Sequence, residues 1–70
     1  MIEIEVNGET KTAAEGQTIL GLLRQLELDP ARVAVELDRR IVKPPHWAET
    51  ELRAGAQLEI EHRYPNPNIE

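Results

Sequence analysis

Ile2-Glu3-Ile4-Glu5-Val6-Asn7-Gly8-Glu9-Thr10-Lys11-Thr12 decides how this chain begins to fold. Ile2, Ile4 and Val6 recur at every second position with Glu3 and Glu5 between them. An extended backbone sets the three aliphatic side chains on one face and the two carboxylates on the other, so the spacing predicts a half-buried strand. Asn7-Gly8 follows at once. A two-residue turn of type I′ needs positive φ at both central positions, which Asn and Gly tolerate best. The chain should therefore reverse here and return over Glu9 to Thr12 as an antiparallel edge strand.

Beyond this hairpin, Glu15-Gly16-Gln17 reads as a loop, and Thr18 is placed to cap a helix by offering its hydroxyl oxygen to a free first-turn N–H. Ile19, Leu22, Leu23 and Leu26 fall at i, i+3, i+4 and i+7 as one apolar stripe, with Arg24, Gln25 and Glu27 on the wetter side. Asp29-Pro30 is expected to end that helix, because proline disfavours α geometry in the residue before it and lacks the N–H. Gly21, inside it, costs roughly 1 kcal/mol relative to alanine and reads as a point of close helix-to-sheet approach. Val33, Val35 and Leu37 alternate with Ala34, Glu36 and Asp38 as a third strand, and Asp38-Arg39-Arg40 reads as a turn. Ile41-Val42 makes a very short strand stopped by Lys43-Pro44-Pro45, whose prolines exclude a central place in a sheet. Trp47 to Leu52 reads as a short irregular or helical turn, and Gly55 breaks the chain. Leu58, Ile60, His62 and Tyr64 then alternate with Glu59, Glu61 and Arg63 as the last strand.

The order strand, strand, helix, strand, short strand, strand is that of an α+β chain of the β-grasp (ubiquitin-like) fold: a mixed sheet of four to five strands packed on one helix. With the helix lying between the early hairpin and the later strands, the first and last strands can run side by side and parallel in the middle of the sheet. Ile2/Ile4/Val6 and Leu58/Ile60 would then meet Leu22, Leu23 and Leu26 in one core. The expected division is a β-grasp domain over residues 1–64 and a C-terminal tail over 65–70.

Seventy residues suffice for one domain that buries only about 60% of the surface its unfolded chain exposes, with no room for a deep enclosed site. The absence of cysteine excludes disulfides, thiolate nucleophiles and thiolate metal sites. Thirteen acidic against eight basic residues give a formal net charge of −5, which argues against nucleic acid as a partner. No basic and apolar leader precedes the first strand, and no apolar run approaches membrane-spanning length, so a cytoplasmic protein without membrane contact is expected. His46 and His62 have no third ligand at metal-binding spacing. The carboxylates alternate on strand faces instead of converging on a pocket. Arg39-Arg40 reads as a solvated turn tip, and Trp47 as packing that covers one end of the sheet. With no nucleophile, metal set or cofactor loop, the chain does not read as an enzyme. An exposed apolar patch is expected on the sheet face away from the helix or beside the tail, with His62, Tyr64 and Val42 as candidates.

Val6-Asn7-Gly8-Glu9, Glu15-Gly16-Gln17-Thr18-Ile19 into Leu22-Leu23, Val33-Ala34-Val35-Glu36-Leu37, and Trp47-Ala48-Glu49-Thr50-Glu51-Leu52 followed by Gly55 and Leu58-Glu59-Ile60 together resemble the ThiS family. These are the sulfur carriers of thiamine thiazole synthesis, and the likeness spans residues 1 to about 63. It implies a non-enzymatic carrier with two partners, an adenylating (ThiF-like) activating enzyme and a thiazole synthase (ThiG-like). The first adenylates the carrier's terminal carboxylate; sulfur replaces the adenylate to give a thiocarboxylate; the second accepts the sulfur. ATP and a sulfur donor are used by the activating enzyme, and the carrier binds no cofactor. Carried onto this sequence, Glu70 is the carrier terminus and Tyr64, Pro65, Asn66, Pro67, Asn68 and Ile69 form the partner-binding tail. The family ends in Gly-Gly, because the activating site admits the tail so closely that a Cβ would collide. This chain departs from that pattern: it has no Gly-Gly, its last glycine is Gly55, and Pro65 and Pro67 stiffen the tail toward polyproline geometry. Ala56 also stands where the family commonly has an acidic residue. The departure at the tail sets a second expectation beside the first, a non-conjugating ubiquitin-like module that keeps the body as a docking surface.

Overall fold

In the computed structural model, which describes residues 1–63, the chain forms β1 (Ile2–Val6), β2 (Glu9–Ala13), α1 (Ile19–Gln25), β3 (Val33–Leu37), β4 (Arg40–Val42) and β5 (Gln57–His62). Single 3-10 turns at Pro30–Arg32 and Pro44–His46 join the later elements. The five strands make one mixed sheet in the order β2-β1-β5-β3-β4, with β1 and β5 adjacent and parallel at its centre. This is the expected β-grasp arrangement. No helix among the described residues is long and apolar enough to cross a membrane.

Both hairpins turn through paired positive-φ residues. Asn7 (φ 52°) and Gly8 (φ 84°) reverse β1 into β2, pairing Val6 with Glu9 and Ile2 with Ala13. Between β3 and β4 the turn is centred on Asp38 (φ 50°) and Arg39 (φ 72°), while Arg40 already belongs to the strand. Neither residue is glycine, and what holds the turn is Asp38. Its N–H donates to the Gln57 carbonyl at 2.7 Å, and its carboxylate oxygen accepts from the Gln57 N–H at 3.0 Å. The β3–β4 turn is thereby tied to the first residue of β5.

Thr18 caps α1 as expected, its hydroxyl accepting from the Gly21 N–H at 3.1 Å. The preceding free donors are taken by a loop: Ile19 N–H donates to the Thr50 carbonyl and Leu20 N–H to the Trp47 carbonyl. Segment 47–52 thus completes the helix start, which would otherwise leave unpaired N–H groups beside the core.

The helix ends earlier than Asp29-Pro30. Leu26 is its C-cap and only half-buried, and Glu27 sits in the left-handed region at φ 61°. Glu27 N–H donates to the Arg24 carbonyl and Leu28 N–H to the Leu23 carbonyl, the two bonds of a Schellman ending. Asp29 instead starts the following 3-10 turn, its carboxylate accepting from the Ala31 N–H at 2.9 Å. A glutamate in the left-handed position carries steric strain that glycine lacks, so Glu27→Gly is expected to raise stability by about 0.5–1 kcal/mol. Equilibrium urea unfolding checks this, and a variant no more stable than the parent would contradict it.

Gly21 does not provide the helix-to-sheet approach anticipated for it. A Cβ there would meet Gln17 Oε1 at 2.9 Å and Thr18 Oγ1 at 3.4 Å, so the space it keeps is for the capping segment. The side chains that do face the sheet are Ile19, Leu22 and Leu23, all fully buried. They meet Ile4, Val6, Val33, Val35, Leu58 and Ile60 from the strands, with Trp47 and Leu52 closing one end. Each large aliphatic side chain so buried contributes roughly 1.5–3 kcal/mol.

Candidate functional site

β5 is the strand on which the chain reaches the end of the described residues. Its first half lies against β1, where only Glu5–Gln57 and Val6–Leu58 are paired, because β1 turns away at Asn7. Backbone bonds from Glu5 N–H to the Ala56 carbonyl (2.8 Å) and from Asn7 N–H to the Leu58 carbonyl (2.9 Å) complete this short ladder. The Asn7 side chain then continues it. Its Nδ2 donates to the Ile60 carbonyl at 3.1 Å and its Oδ1 accepts from the Ile60 N–H at 2.8 Å. A carboxamide presents donor and acceptor in one plane as a peptide group does, so Asn7 replaces the missing strand residue beside β5. On the other side β3 pairs antiparallel with β5 along its length, from Leu37–Leu58 to Val33–His62. The Arg63 N–H donates to the Arg32 carbonyl at 2.6 Å. Thus β5 is held through Ile60 on one side and through His62 on the other, and Arg63 is fastened to the Pro30–Arg32 turn.

The sheet face away from the helix is the second feature. Pairing places Ala34, Glu36, Ile41, Glu59 and Glu61 together on it, with Glu36 directly opposite both Ile41 and Glu59 and Ala34 opposite Glu61. These side chains line a groove of about 350 Å³. Ile41 is 73% exposed. The ion pairs among the described residues join Lys11 with Glu9 and Arg32 with Asp29, His46 is hydrogen-bonded to Glu49, and none of these contacts involves Glu36, Glu59 or Glu61.

Several residues singled out in the sequence take other places. Val42, a candidate for the exposed patch, is half-buried and pairs with the inward-facing Val35, and its carbonyl accepts from Trp47 Nε1 at 2.7 Å. One position along the strand the parity reverses, so the exposed apolar residue is Ile41. His62 is exposed at the end of β5. His46 stands in the Pro44–His46 turn with its ring 2.9 Å from a Glu49 carboxylate oxygen, on a different element from His62. Arg39 and Arg40 are exposed, and Trp47 is 2% exposed in the core. Among the described residues no group of three or more His, Asp or Glu side chains could hold a metal ion. Tyr64, Pro65, Asn66, Pro67, Asn68, Ile69 and Glu70, named from the sequence as partner-binding tail and carrier terminus, lie outside the described residues.

Two positions that shape this region escape the sequence. The turn alone accounts for Asn7 in the sequence, and nothing local signals that its side chain meets a strand fifty-three positions later. Ile41 belongs to a two-residue apolar run, in which period two cannot be assigned to a face. What the arrangement can do is present a firmly held last strand of the described residues and, on the sheet, an acidic groove walled by one exposed isoleucine.

Known proteins share both the sequence pattern and the fold. Residues 4–60 match the ThiS family. A thiazole synthase of Magnetococcus marinus is 34% identical over 61 residues, covering 87% of this chain and 19% of that protein, so the chain spans about a fifth of that relative's length. The crystal structure of a thiamine biosynthesis protein (ThiS) from Geobacter metallireducens superposes with a TM-score of 0.82 at 24% identity, covering 93% of this chain and 99% of that one. At that identity the likeness establishes a shared fold.

Proposed function

The chain belongs to the ThiS family, and from that premise we propose that it is a sulfur carrier for the thiazole of thiamine, a protein cosubstrate and not a catalyst. The observation that carries the reading is the family match over residues 4–60, which takes in nearly all of the sheet and the whole helix. The two-sided anchoring of β5 supports it, because a carrier must hold its body still against a partner while its terminus enters the active site.

In this reading the terminal carboxylate, Glu70 in this sequence, attacks the α-phosphorus of ATP bound by an adenylating (ThiF-like) enzyme. Pyrophosphate leaves and an acyl adenylate forms. A sulfur donor at the sulfide level then attacks the acyl carbon and displaces AMP, leaving a thiocarboxylate whose sulfur passes to a thiazole synthase (ThiG-like). The relative named as a thiazole synthase, which contains a segment similar to this chain, supports that acceptor. The chain's own part is to dock and to deliver its terminus.

A second reading is favoured by one observation, that the sequence contains no Gly-Gly. A ubiquitin-like module that docks without conjugation needs no glycine pair. Incubation with adenylating enzyme, ATP and sulfide, followed by mass spectrometry, separates the two. The carrier reading expects one oxygen replaced by sulfur at the terminus; no such replacement, with partner binding undiminished after removal of residues 65–70, establishes the docking module in its place.

A further inference from the structure

We propose that the groove around Ile41 on the outward sheet face is a docking surface for a basic protein surface, taking a lysine or arginine side chain whose aliphatic stem covers Ile41 and Ala34 and whose cationic head lies between Glu36 and Glu59. The proposal rests on the reading of the chain as a protein that docks onto thiamine-pathway enzymes, and it names the surface it uses.

Ile41 is a large aliphatic side chain left 73% exposed, although Val42 beside it is drawn inward. The groove it walls has an apolar side, Ile41 and Ala34, and an acidic side, Glu36, Glu59 and Glu61. Glu36 and Glu59 are direct cross-strand partners, an arrangement of like charges that destabilises a sheet. No described basic residue forms an ion pair with either carboxylate. A folded chain that keeps this repulsion gains from any partner that places a cation there.

Charge complementarity also selects the occupant. A symmetric contact with a second copy through this face would set Glu36, Glu59 and Glu61 against the same three carboxylates, so self-association is disfavoured. The apolar wall matches the hydrocarbon stem of a long basic side chain, and the carboxylates match its head.

The test uses the full chain with two purified probes, a thiazole synthase and an adenylating enzyme, titrated into isotope-labelled protein. Binding to one of them should perturb the amides of Ala34, Glu36, Ile41, Glu59 and Glu61 more than those of α1. The variant Glu36→Gln/Glu59→Gln removes the repulsion and should unfold at the same or a higher temperature, yet bind about tenfold more weakly. Ile41→Ser should weaken binding similarly with little change in melting temperature. Parent-like affinity in both variants overturns the proposal while leaving the carrier reading intact. Failure of the parent chain to bind either probe overturns the proposal together with the docking role it rests on, and absence of thiocarboxylate alongside groove-dependent binding defeats only the carrier reading.

Discussion

Asn7→Gly will lower the stability of this protein by about 2 kcal/mol, although glycine is the residue best suited to the turn conformation. The substitution keeps the positive φ of 52° free of strain and removes only the carboxamide, with its two hydrogen bonds to Ile60 at 3.1 and 2.8 Å. Each such bond contributes roughly 1 kcal/mol net, and both Ile60 groups lose their partner at once. Asn7→Ala should cost about 1 kcal/mol more, because alanine in the left-handed region adds steric strain to the same loss. In a domain of this size each kcal/mol moves the melting temperature by roughly 4–8 °C, so the glycine variant should melt about 10 °C below the parent. Circular dichroism gives the melting curve, and amide hydrogen exchange locates the change. The Ile60 amide should exchange much faster in the variant, while Glu36 and Glu59 in the β3–β5 ladder keep more of their protection. A glycine variant within about 0.5 kcal/mol of the parent would show that β3 and the short backbone ladder to β1 hold β5 without the carboxamide. The functional consequence comes from topology: β5 is the last strand of the described residues, and in the carrier role proposed above a loosened β5 would hold the body less firmly against a partner.

Trp47→Ala is expected to be the most damaging single change in the chain. Trp47 is 2% exposed, and its indole N–H donates to the Val42 carbonyl at 2.7 Å. Removing so large a buried side chain costs about 3–5 kcal/mol. A domain of seventy residues has a total stability on the order of 4–10 kcal/mol, so much of the population should be unfolded at physiological temperature. The damage reaches the helix, because the loop that Trp47 anchors supplies the carbonyls that receive the Ile19 and Leu20 N–H groups. Trp47→Phe separates packing from hydrogen bonding. It keeps an aromatic ring in the core, leaves the Val42 carbonyl without its donor, and should cost about 1–3 kcal/mol. Denaturant unfolding followed by circular dichroism measures both variants. An alanine variant that unfolds with parent-like stability would mean that the core closes without the indole.

How far the sequence could be read depended on the range of the interaction involved. The alternation in Ile2–Val6, the Asn7-Gly8 turn, the Thr18 cap and the i, i+3, i+4 spacing of Ile19, Leu22 and Leu23 all reappear in the structure, since each is set within a few residues by backbone sterics and side-chain direction. Their order sufficed for the parallel central pair, because a single helix between an early hairpin and later strands leaves few unknotted arrangements. The helix ends before Asp29-Pro30 for a local reason too: glycine is the usual residue in a left-handed C-terminal position, and Glu27 occupies it without that signal. Gly21 keeps space for the capping segment and not for the sheet, since a glycine in a helix announces missing volume without saying what fills it.

Element order and the inward rows of the strands were therefore determined by the amino-acid sequence alone, because they arise from periodicity and turn chemistry that act over a few residues. Tertiary structure alone decided that Asn7 would stand in for a strand residue beside Ile60, that Trp47 would take the Val42 carbonyl, and that Ile41 would face outward among Glu36, Glu59 and Glu61. Those outcomes depend on which distant segments the packed sheet and helix bring within hydrogen-bonding or van der Waals distance, and that proximity exists only once the chain has closed around its core.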